Sequence, residues 1–423
     1  MSTRTTRWLA APLLAGALAA AGMTLVNPLS AADAGPAAKH PARARNVIFI
    51  NGDGMAAAQR EAARLYYAGL DGQLTMDKLP VSGQLTTSPH DPRTAITDSA
   101  AAATAWATGE KTYNGAISVD VDGNPLPTLG VQAKAAGKAT GLVTTAQVTD
   151  ASPAAFFANT ANRSAQDEIA RQYIEVSKPD VILGGGEDWW LPAGSPGAYP
   201  DKPAEDPAEA SKGTKGDLIA AAKRRGYQYV STAGELAAAR KGKVLGLFGN
   251  EELFQQRPEG EGDVYNPPVS LATMTTKALG TLERDRDGFF LLVEEEGVDE
   301  FAHENNGTRM LQALGELEKA VAVARAYAAA HPDTLVVVTG DHECGGLTVE
   351  DTATTDESGD GISAEDGPFP VKNSSLTFKL DWTTSGHTGV DVPVTAYGPL
   401  ADRFTGKHPN SYVHDVLAAA LTR

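Results

Sequence analysis

Length, composition and charge already exclude several classes of protein. The chain has 423 residues, 42% of them hydrophobic, so it can bury a large core and is not an intrinsically disordered chain. Its formal net charge of -17 at pH 7 argues against a nucleic-acid partner and against binding to an anionic membrane through bulk charge. An acidic chain with many carboxylates is instead suited to hold hard metal ions. Cys344 is the only cysteine, so no internal disulfide can form.

The first 34 residues have the pattern of a secretory signal peptide. Arg4 and Arg7 precede an apolar run over residues 8–26, and the small residues at 32–34 offer a cleavage site. The alternative is a transmembrane anchor, but Pro12 and two glycines interrupt the run. We therefore expect a secreted or extracytoplasmic protein without a transmembrane anchor in the mature chain.

Apolar, β-branched runs alternate with helical stretches along the rest of the chain. Continuous apolar strands separated by helices are typical of an α/β fold, with a large, mostly parallel central sheet flanked by helices on both faces. The predicted strands cover residues 45–50, 140–144, 288–293, 335–339 and 392–397, and the predicted helices include residues 217–225, 269–283 and 310–330. We expect residues 35–423 to form a single domain, with insertions at 191–216 and 350–374, where polar residues and glycine or proline are frequent.

A candidate nucleophile lies at the predicted start of a helix. Asp98 and Ser99 precede the alanine-rich run that ends near Trp106, and both residue types favour helix caps. The unpaired N–H groups and positive dipole end of a first helical turn can activate a serine hydroxyl. From this segment alone, the alternative is only a capped, alanine-rich helix.

Acidic and histidine side chains at or near the predicted strand ends form three candidate metal sets. In open parallel sheets, ligands bind beyond the carboxyl ends of the strands, so these dispersed residues can converge. Asp299 and His303 lie four residues apart in VDEFAH, and with His387 they suit a catalytic zinc, although such a helical pair is more often a surface pair. The second set, Asp53 with Asp341 and His342, resembles a zinc site. The third set, Asp53 with Glu294 and Ser152, suits magnesium.

Eight motifs, in this order and spacing, resemble those of the alkaline phosphatase family from about residue 45 to 398. They are NGDGM, TDSAAAATAWATGEKTYNGA, DASPAA, DVILGGG, GFFLLVE, VDEFAH, TGDHE and GHTGVDVP. The resemblance implies an alkaline phosphatase fold and hydrolysis of phosphate monoesters. It also implies two zinc ions, one magnesium ion and a homodimer.

The resemblance assigns a role to each candidate residue. Ser99 matches the nucleophile that becomes phosphoserine, Arg163 matches the arginine that binds phosphate, and Asp98 matches the aspartate that orients this arginine. One zinc would be held by Asp299, His303 and His387, and the other by Asp53, Asp341 and His342. Asp53, Ser152 and Glu294 match the magnesium ligands, and Asp150 matches a residue that bonds metal-bound water.

Glu300 departs from the family pattern, because many relatives carry Lys, His or Trp there. We expect an acid at this position to repel phosphate, which gives faster product release and a higher KM. The alternative is that Glu300 points to solvent together with Glu295 and Glu296. Cys344 is expected to be a small buried residue, with contact to a metal as the alternative.

Other activities of the same scaffold are sulfate ester hydrolysis, phosphodiester hydrolysis and cofactor-independent phosphoglycerate mutation. The serine nucleophile, the separate arginine and the lack of a Cys-x-Pro-x-Arg motif favour monoester hydrolysis. A non-enzymatic metal or phosphate binder is the remaining alternative.

Overall fold

The computed structural model describes residues 43–199, 201, 210–240, 242–254, 264–352 and 364–422. The predicted signal peptide at 1–34 lies outside these residues. Among the helices that the structure describes, none combines the length and the apolar character that crossing a membrane requires.

A ten-stranded sheet organises the fold. Its strands follow the order β15-β2-β14-β8-β1-β7-β3-β4-β6-β5. The strands of the described residues, in chain order, are β1 (Asn46–Gly52), β2 (Val81–Thr86), β3 (Ala139–Gln147), β4 (Val181–Gly185), β5 (Tyr227–Val230), β6 (Lys243–Leu247), β7 (Phe289–Glu295), β8 (Thr334–Thr339), β9 (Glu343–Cys344), β10 (Leu347–Asp351), β11 (Ala364–Pro370), β12 (Thr377–Trp382), β13 (His387–Thr388), β14 (Val392–Tyr397) and β15 (Gly406–Pro409).

Neighbouring strands of this sheet run parallel except at β14, which is antiparallel to both β2 and β8. The central strand β1 lies between β7 and β8, and Ile50 is level with Val293 on one side and Val338 on the other. The prediction of a large, mostly parallel sheet is confirmed, and each of the five predicted strands overlaps an observed one.

Helices cover both faces of the sheet. The α-helices of the described residues are α1 (Ala57–Tyr67), α2 (Ser99–Thr108), α3 (Leu129–Ala135), α4 (Ala151–Phe157), α5 (Gln166–Gln172), α6 (Leu218–Arg224), α7 (Ala233–Ala238), α8 (Leu271–Leu282), α9 (Gly297–His303), α10 (Gly307–Ala330) and α11 (Tyr412–Leu421). The predicted helices at 217–225, 269–283 and 310–330 correspond to α6, α8 and α10 within a few residues.

Side chains of β1 alternate between two separate hydrophobic cores. Val47 and Phe49 face the core that contains Trp106 of α2, and the rings of Phe49 and Trp106 lie 5.0 Å apart. Ile48 and Ile50 face the opposite core, which contains side chains of α8 and α10. Because both faces of the strand are buried, its sequence is a continuous apolar run rather than an alternating one.

Strands β10, β12 and β11 form a small antiparallel sheet beside the main one. This sheet includes the described part of the segment at 350–374. The described part of the segment at 191–216 contains no helix and no regular strand. A two-stranded pairing of β9 with β13 sets His387 opposite Cys344.

Candidate active site

Acidic and histidine side chains follow three adjacent strands at the same edge of the sheet. Asp53 follows β1, Glu294 is the second-last residue of β7, and Asp341 with His342 follows β8. Since β1 lies between β7 and β8 and all three run parallel, their carboxyl ends meet. Strand β14 is antiparallel, so its beginning lies at this same edge, and this explains how His387, five residues before it, reaches the site.

We call Asp53, Asp341 and His342 the strand cluster. The His342 Nε2 atom lies 3.1 Å from Asp341 Oδ2 and 3.6 Å from Asp53 Oδ1. All three residues are at most 1% exposed. Gly54, with a φ of +68°, allows the chain to turn here: a Cβ atom at Gly54 would lie 2.7 Å from the Asp299 Oδ1 atom.

We call Asp299, His303 and His387 the helix cluster, because the first two lie on α9. Asp299 Oδ2 is 3.2 Å from His303 Nε2, and Asp299 Oδ1 is 3.6 Å from His387 Nε2. The two Nε2 atoms are 3.1 Å apart, so both histidines point at one location. Their Nδ1 atoms lie against the carbonyl oxygens of Ser385 (2.6 Å) and Thr97 (3.0 Å), which fixes both rings in this orientation.

We call Asp53, Glu294 and Glu296 the oxygen cluster. One ligand atom from each lies within 4.8 Å of the others, and all three carboxylates are buried. The Thr144 hydroxyl donates to Glu294 Oε2 over 2.7 Å, and the Asn51 amide donates to Glu294 Oε1 over 3.2 Å and to the Ser152 hydroxyl over 3.3 Å. The structure thus places the predicted ligand Ser152 beside Glu294, at the first turn of α4.

Ser99 is the first residue of α2, as the sequence predicts. Asp98 caps the helix, because its Oδ1 accepts from the Ala101 amide over 2.9 Å, and Gly109 ends it in the left-handed conformation. The Ser99 Oγ atom lies 3.3 Å from the His342 Nε2 atom, and the residue Ser99 is 5% exposed. The nucleophile candidate therefore contacts the strand cluster directly.

Arg163 lies between two carboxylates beside this serine-bearing helix. Its Nη2 atom donates to Asp150 Oδ1 over 2.9 Å, and its Nη1 atom is 3.6 Å from Asp98 Oδ2. Burial lowers the Arg163 pKa and the charges of Asp150 and Asp98 raise it, with the balance above the ordinary value. The guanidinium is held as a permanent cation with a fixed orientation, which suits two-point binding of a phosphate.

The donor sets fit the metals that the sequence implies. Neither carboxylate oxygen of Asp53 accepts a hydrogen bond from the described residues, although the side chain is buried. Burial, followed by the charges of Asp341 and Asp299, raises the Asp53 pKa well above its usual range. A buried carboxylate without donors requires a cation or a proton. The nitrogen and oxygen atoms of the helix and strand clusters suit zinc, and the oxygen cluster suits magnesium.

Sequence reasoning missed Glu296 and Thr144. Glu295 and Glu296 are buried, at 0% and 4% exposure, so the alternative in which they point to solvent is wrong. Glu300 is only partly exposed. Cys344 is buried, as expected, and its sulfur lies within 4.8 Å of a ligand atom from each of Asp299, His303 and His387. No local signal marked Glu296, since its burial depends on the turn of the chain from β7 into α9.

Comparison with known proteins gives one consistent family. A protein-family model described as alkaline phosphatase matches residues 44–369 and 370–423 of this chain. A streptomycin-6-phosphate phosphatase from Streptomyces griseus is 34% identical, over 97% of this chain and 98% of the relative. The alkaline phosphatase of Escherichia coli K12 is 32% identical, over 89% of this chain and 86% of that protein.

Solved structures agree with the sequence comparison. The alkaline phosphatase from the Antarctic bacterium TAB5 superposes with a TM-score of 0.72 at 26% identity, covering 90% of this chain and 98% of that one. A cold-active alkaline phosphatase from Shewanella sp. gives a TM-score of 0.71 at 30% identity, covering 89% of this chain and all of the other.

Proposed function

The chain belongs to the alkaline phosphatase family and is a phosphomonoesterase, and we propose that it acts through a phosphoserine on Ser99 with two zinc ions and one magnesium ion. The observation that carries the proposal is the contact of Ser99 Oγ with His342 Nε2 at 3.3 Å, at a helix start capped by Asp98. This contact joins the candidate nucleophile to the strand cluster, and Arg163 lies 3.6 Å from the carboxylate of Asp98, the residue before Ser99.

We propose that the helix and strand clusters hold zinc and that Asp53, Glu294 and Ser152 hold magnesium, with Glu296 as a further carboxylate beside it. Bound there, the metals would lower the pKa of the serine hydroxyl and of water and would offset charge on the phosphoryl group. Asp53 belongs to two clusters, so it couples the occupancy of the strand cluster to that of the oxygen cluster.

The phosphoryl group is transferred in two displacement steps, and protein side chains position the reacting groups in each step. Ser99 Oγ bonds to phosphorus while the bond between phosphorus and the alcohol oxygen breaks; the serine hydroxyl proton passes to solvent, and the alcohol oxygen takes up a proton from solvent and leaves as the alcohol. Water then bonds to phosphorus and gives up a proton, while the Oγ–phosphorus bond breaks and Oγ takes up a proton, which restores Ser99 and releases phosphate. Arg163, held by Asp150 and Asp98, binds two phosphoryl oxygens through both steps, and its charge stabilises the charge that develops on them.

Replacement of the nucleophile tests this mechanism. We expect Ser99→Ala to reduce kcat on an aryl phosphate by on the order of 10³-fold or more, while the zinc and magnesium content stays unchanged. Ser82→Ala, an exposed serine on β2, is the matched control and should retain full activity. Incubation with ³²P-phosphate at acidic pH should label Ser99 in the unmodified protein and leave the Ser99→Ala chain unlabelled.

Assays with other esters and with chelator decide among the activities of this scaffold. Removal of metal with a chelator should abolish monoester turnover, and zinc with magnesium should restore it. Faster turnover of an aryl sulfate or a phosphodiester than of the monoester would contradict the proposal. Streptomycin 6-phosphate belongs in the panel, because the Streptomyces griseus relative is named for that ester.

We also propose that the protein is exported after cleavage near residue 34 and that it forms a homodimer. The charged start, apolar run and small-residue site at 1–34 support export. Sequencing the mature N-terminus from the extracytoplasmic fraction tests export, and sedimentation tests the dimer. An intact N-terminus in the cytoplasmic fraction would contradict export.

A further inference from the structure

Cys344 lies beside the helix cluster, and the mechanism proposed above gives its thiol no role. Its Sγ atom lies within 4.8 Å of one ligand atom from each of Asp299, His303 and His387, and those three atoms lie within the same distance of one another. The residue is fully buried, and as the only cysteine of the chain it has no disulfide partner within it. Four side chains therefore bring metal-binding atoms to one location.

The main chain fixes where this sulfur lies. Strand β9 pairs with β13, so Cys344 lies opposite His387, and the Cys344 carbonyl oxygen accepts from Gln59 Nε2 over 2.8 Å. The next residue, Gly345, has a φ of +86°, and a Cβ atom there would collide with the Trp382 ring. The pairing, the hydrogen bond and the close packing together hold the thiol against the helix cluster.

One carboxylate oxygen of the same cluster is buried without a well-placed donor. Asp299 is 4% exposed, and its Oδ1 atom accepts no hydrogen bond of good geometry from the described residues. The His387 Nε2 atom lies 3.6 Å from it and the His342 Nδ1 atom 3.9 Å. Buried polar atoms normally have a partner, so an oxygen in this position, beside nitrogen and sulfur atoms, indicates a cation.

We propose that Cys344 is a fourth protein ligand at the helix cluster, which then binds its metal through one carboxylate, two imidazole nitrogens and one thiolate sulfur. The inference rests on the proposed function in one respect, namely that the helix cluster holds zinc. Cysteine sulfur, histidine nitrogen and carboxylate oxygen are the donor atoms that zinc takes in proteins. When the metal binds, the thiol proton passes to solvent and the sulfur electron pair forms the bond to the metal.

A fourth protein ligand is compatible with catalysis and changes the metal preference of the cluster. Catalytic zinc usually has three protein ligands, but it can expand to five ligands, so a fourth one leaves room for a further group. Thiolate is a softer donor than the carboxylates and the imidazole of the strand cluster. We therefore expect the helix cluster to retain zinc against a chelator longer than the strand cluster does.

Cobalt spectroscopy tests the ligand directly, because only one cysteine can contribute to the signal. Cobalt(II) in place of zinc absorbs in the near ultraviolet when a thiolate binds it, through transfer of charge from sulfur to metal. We expect this absorption in the unmodified protein loaded with cobalt, and we expect it to disappear when zinc displaces the cobalt. Cys344→Ala should lack the absorption. Met310→Leu removes a buried sulfur from the same hydrophobic core but not from the cluster, and as the matched control it should retain the absorption.

Zinc affinity provides a second readout that does not depend on catalysis. Loss of an outer partner of a metal ligand already weakens metal binding by about 10- to 100-fold, so loss of a ligand itself should weaken it by at least about tenfold. Competition with a chromogenic chelator should show this loss for one of the two zinc ions of Cys344→Ala. Met310→Leu should bind both zinc ions as the unmodified protein does.

The proposal would be overturned if the unmodified protein, with cobalt in place of both zinc ions, showed no sulfur-to-cobalt absorption. An unchanged zinc affinity in Cys344→Ala would overturn it equally, and Cys344 would then be only a small buried residue. Because the first measurement uses the unmodified chain, it decides the question even if Cys344→Ala does not fold.

Metal analysis and an activity assay of the same sample separate this inference from the proposed function. An active protein that is fully loaded with metal but lacks the absorption would overturn the role of Cys344 alone. A chain that binds neither zinc nor cobalt would overturn the proposed function together with it.

Discussion

The oxygen cluster and the helix cluster lie in one site but differ in how their charges are compensated. The oxygen cluster consists of carboxyl groups alone; burial raises the pKa of Glu294 to about 7 and raises those of Asp53 and Glu296 well above their usual range. In the helix cluster, burial also opposes ionisation of Asp299, but hydrogen bonds from His303 and His387 hold its pKa well below the usual range.

The helix cluster and the oxygen cluster should therefore behave differently when no metal is bound. Asp299 pairs with His303, whose pKa is raised to about 9 by its hydrogen bond with Asp299, so this cluster neutralises itself as an ion pair. The oxygen cluster has no histidine among its members, and burial of Asp53 outweighs the attraction of the Arg163 charge, so protons or a bound cation must neutralise the cluster. Metal loss should therefore destabilise the oxygen cluster more than the helix cluster.

Asp53→Asn tests the oxygen cluster and has the largest expected effect. Because Asp53 serves two clusters, the variant should lose magnesium and one zinc, and kcat should fall by on the order of 10²- to 10³-fold. In contrast, the metal-free variant should be more stable than the metal-free unmodified protein, since a buried carboxyl without hydrogen-bond donors has been removed. Elemental analysis and calorimetry measure both effects.

Asp402→Asn is the control, because Asp402 is exposed and belongs to none of the three clusters. A metal-free Asp53→Asn chain that melts below the metal-free unmodified protein would show that the carboxyl stabilises the apo fold. The comparison between the two clusters would then fail.

His303→Gln tests the helix cluster and should have a smaller effect. The side chain of His303 is 31% exposed, and the other two members of its cluster remain in place. We expect the loss of one zinc at low zinc concentration, with activity about 10- to 100-fold lower and partly recovered by excess zinc. If excess zinc restored no activity while the magnesium content stayed normal, His303 would be more than a metal-affinity residue.

The main sheet could be predicted from the sequence, because burial on both faces requires strands that are continuous apolar runs. Val47 to Ile50 is a continuous apolar run for this reason, and the run at 335–339 follows the same rule. The short strands β9 and β13 could not be predicted, because each is two residues long and forms only through pairing between distant segments. His387 and Cys344 lie opposite each other in this pairing, and no local sequence pattern indicates that the two residues are close.

Sequence reasoning identified candidate site residues that directly follow strands or lie in family motifs. The structure brings Asp53, Asp341 and His342 together as expected from the parallel order of β1 and β8. Glu296 was missed, since its burial depends on the chain turning into α9 rather than on local composition. Thr144 was missed because a threonine inside a strand gives no sign that its hydroxyl reaches a carboxylate 150 positions away.

Metal-free protein should lose stability as the pH rises from about 4.5 to about 9. The folded pKa of Glu294 is about 7, that of Glu295 about 8 through burial, and that of His303 about 9, whereas the unfolded values are near 4.5 for Glu and 6.5 for His. Each group binds its proton more tightly when folded, so its stabilisation is complete below the unfolded pKa and is lost as the pH passes the folded pKa.

Calorimetry at pH 5, 6, 7, 8 and 9 measures this loss. Protein loaded with zinc and magnesium should not show it, because the metals bind the deprotonated groups and release their protons. A melting temperature of the metal-free chain that rises steadily across this interval would contradict the assignment of raised pKa values to these groups.

Glu300→Lys tests the charge beside the helix cluster and has the smallest expected effect. Glu300 directly follows Asp299 on α9; burial and then the charge of Asp299 raise its pKa to about 8, so its charge acts on phosphate most strongly at alkaline pH, where the inhibition constants are to be measured. A cation here would attract phosphate that the acid repels, so we expect the inhibition constant for phosphate to fall by several-fold and kcat to fall as product release slows. Glu304→Lys, one helical turn further along and exposed to a similar degree, is the matched control for charge reversal. An inhibition constant that is unchanged in Glu300→Lys, or that changes equally in both variants, would show that Glu300 does not act on the bound phosphate.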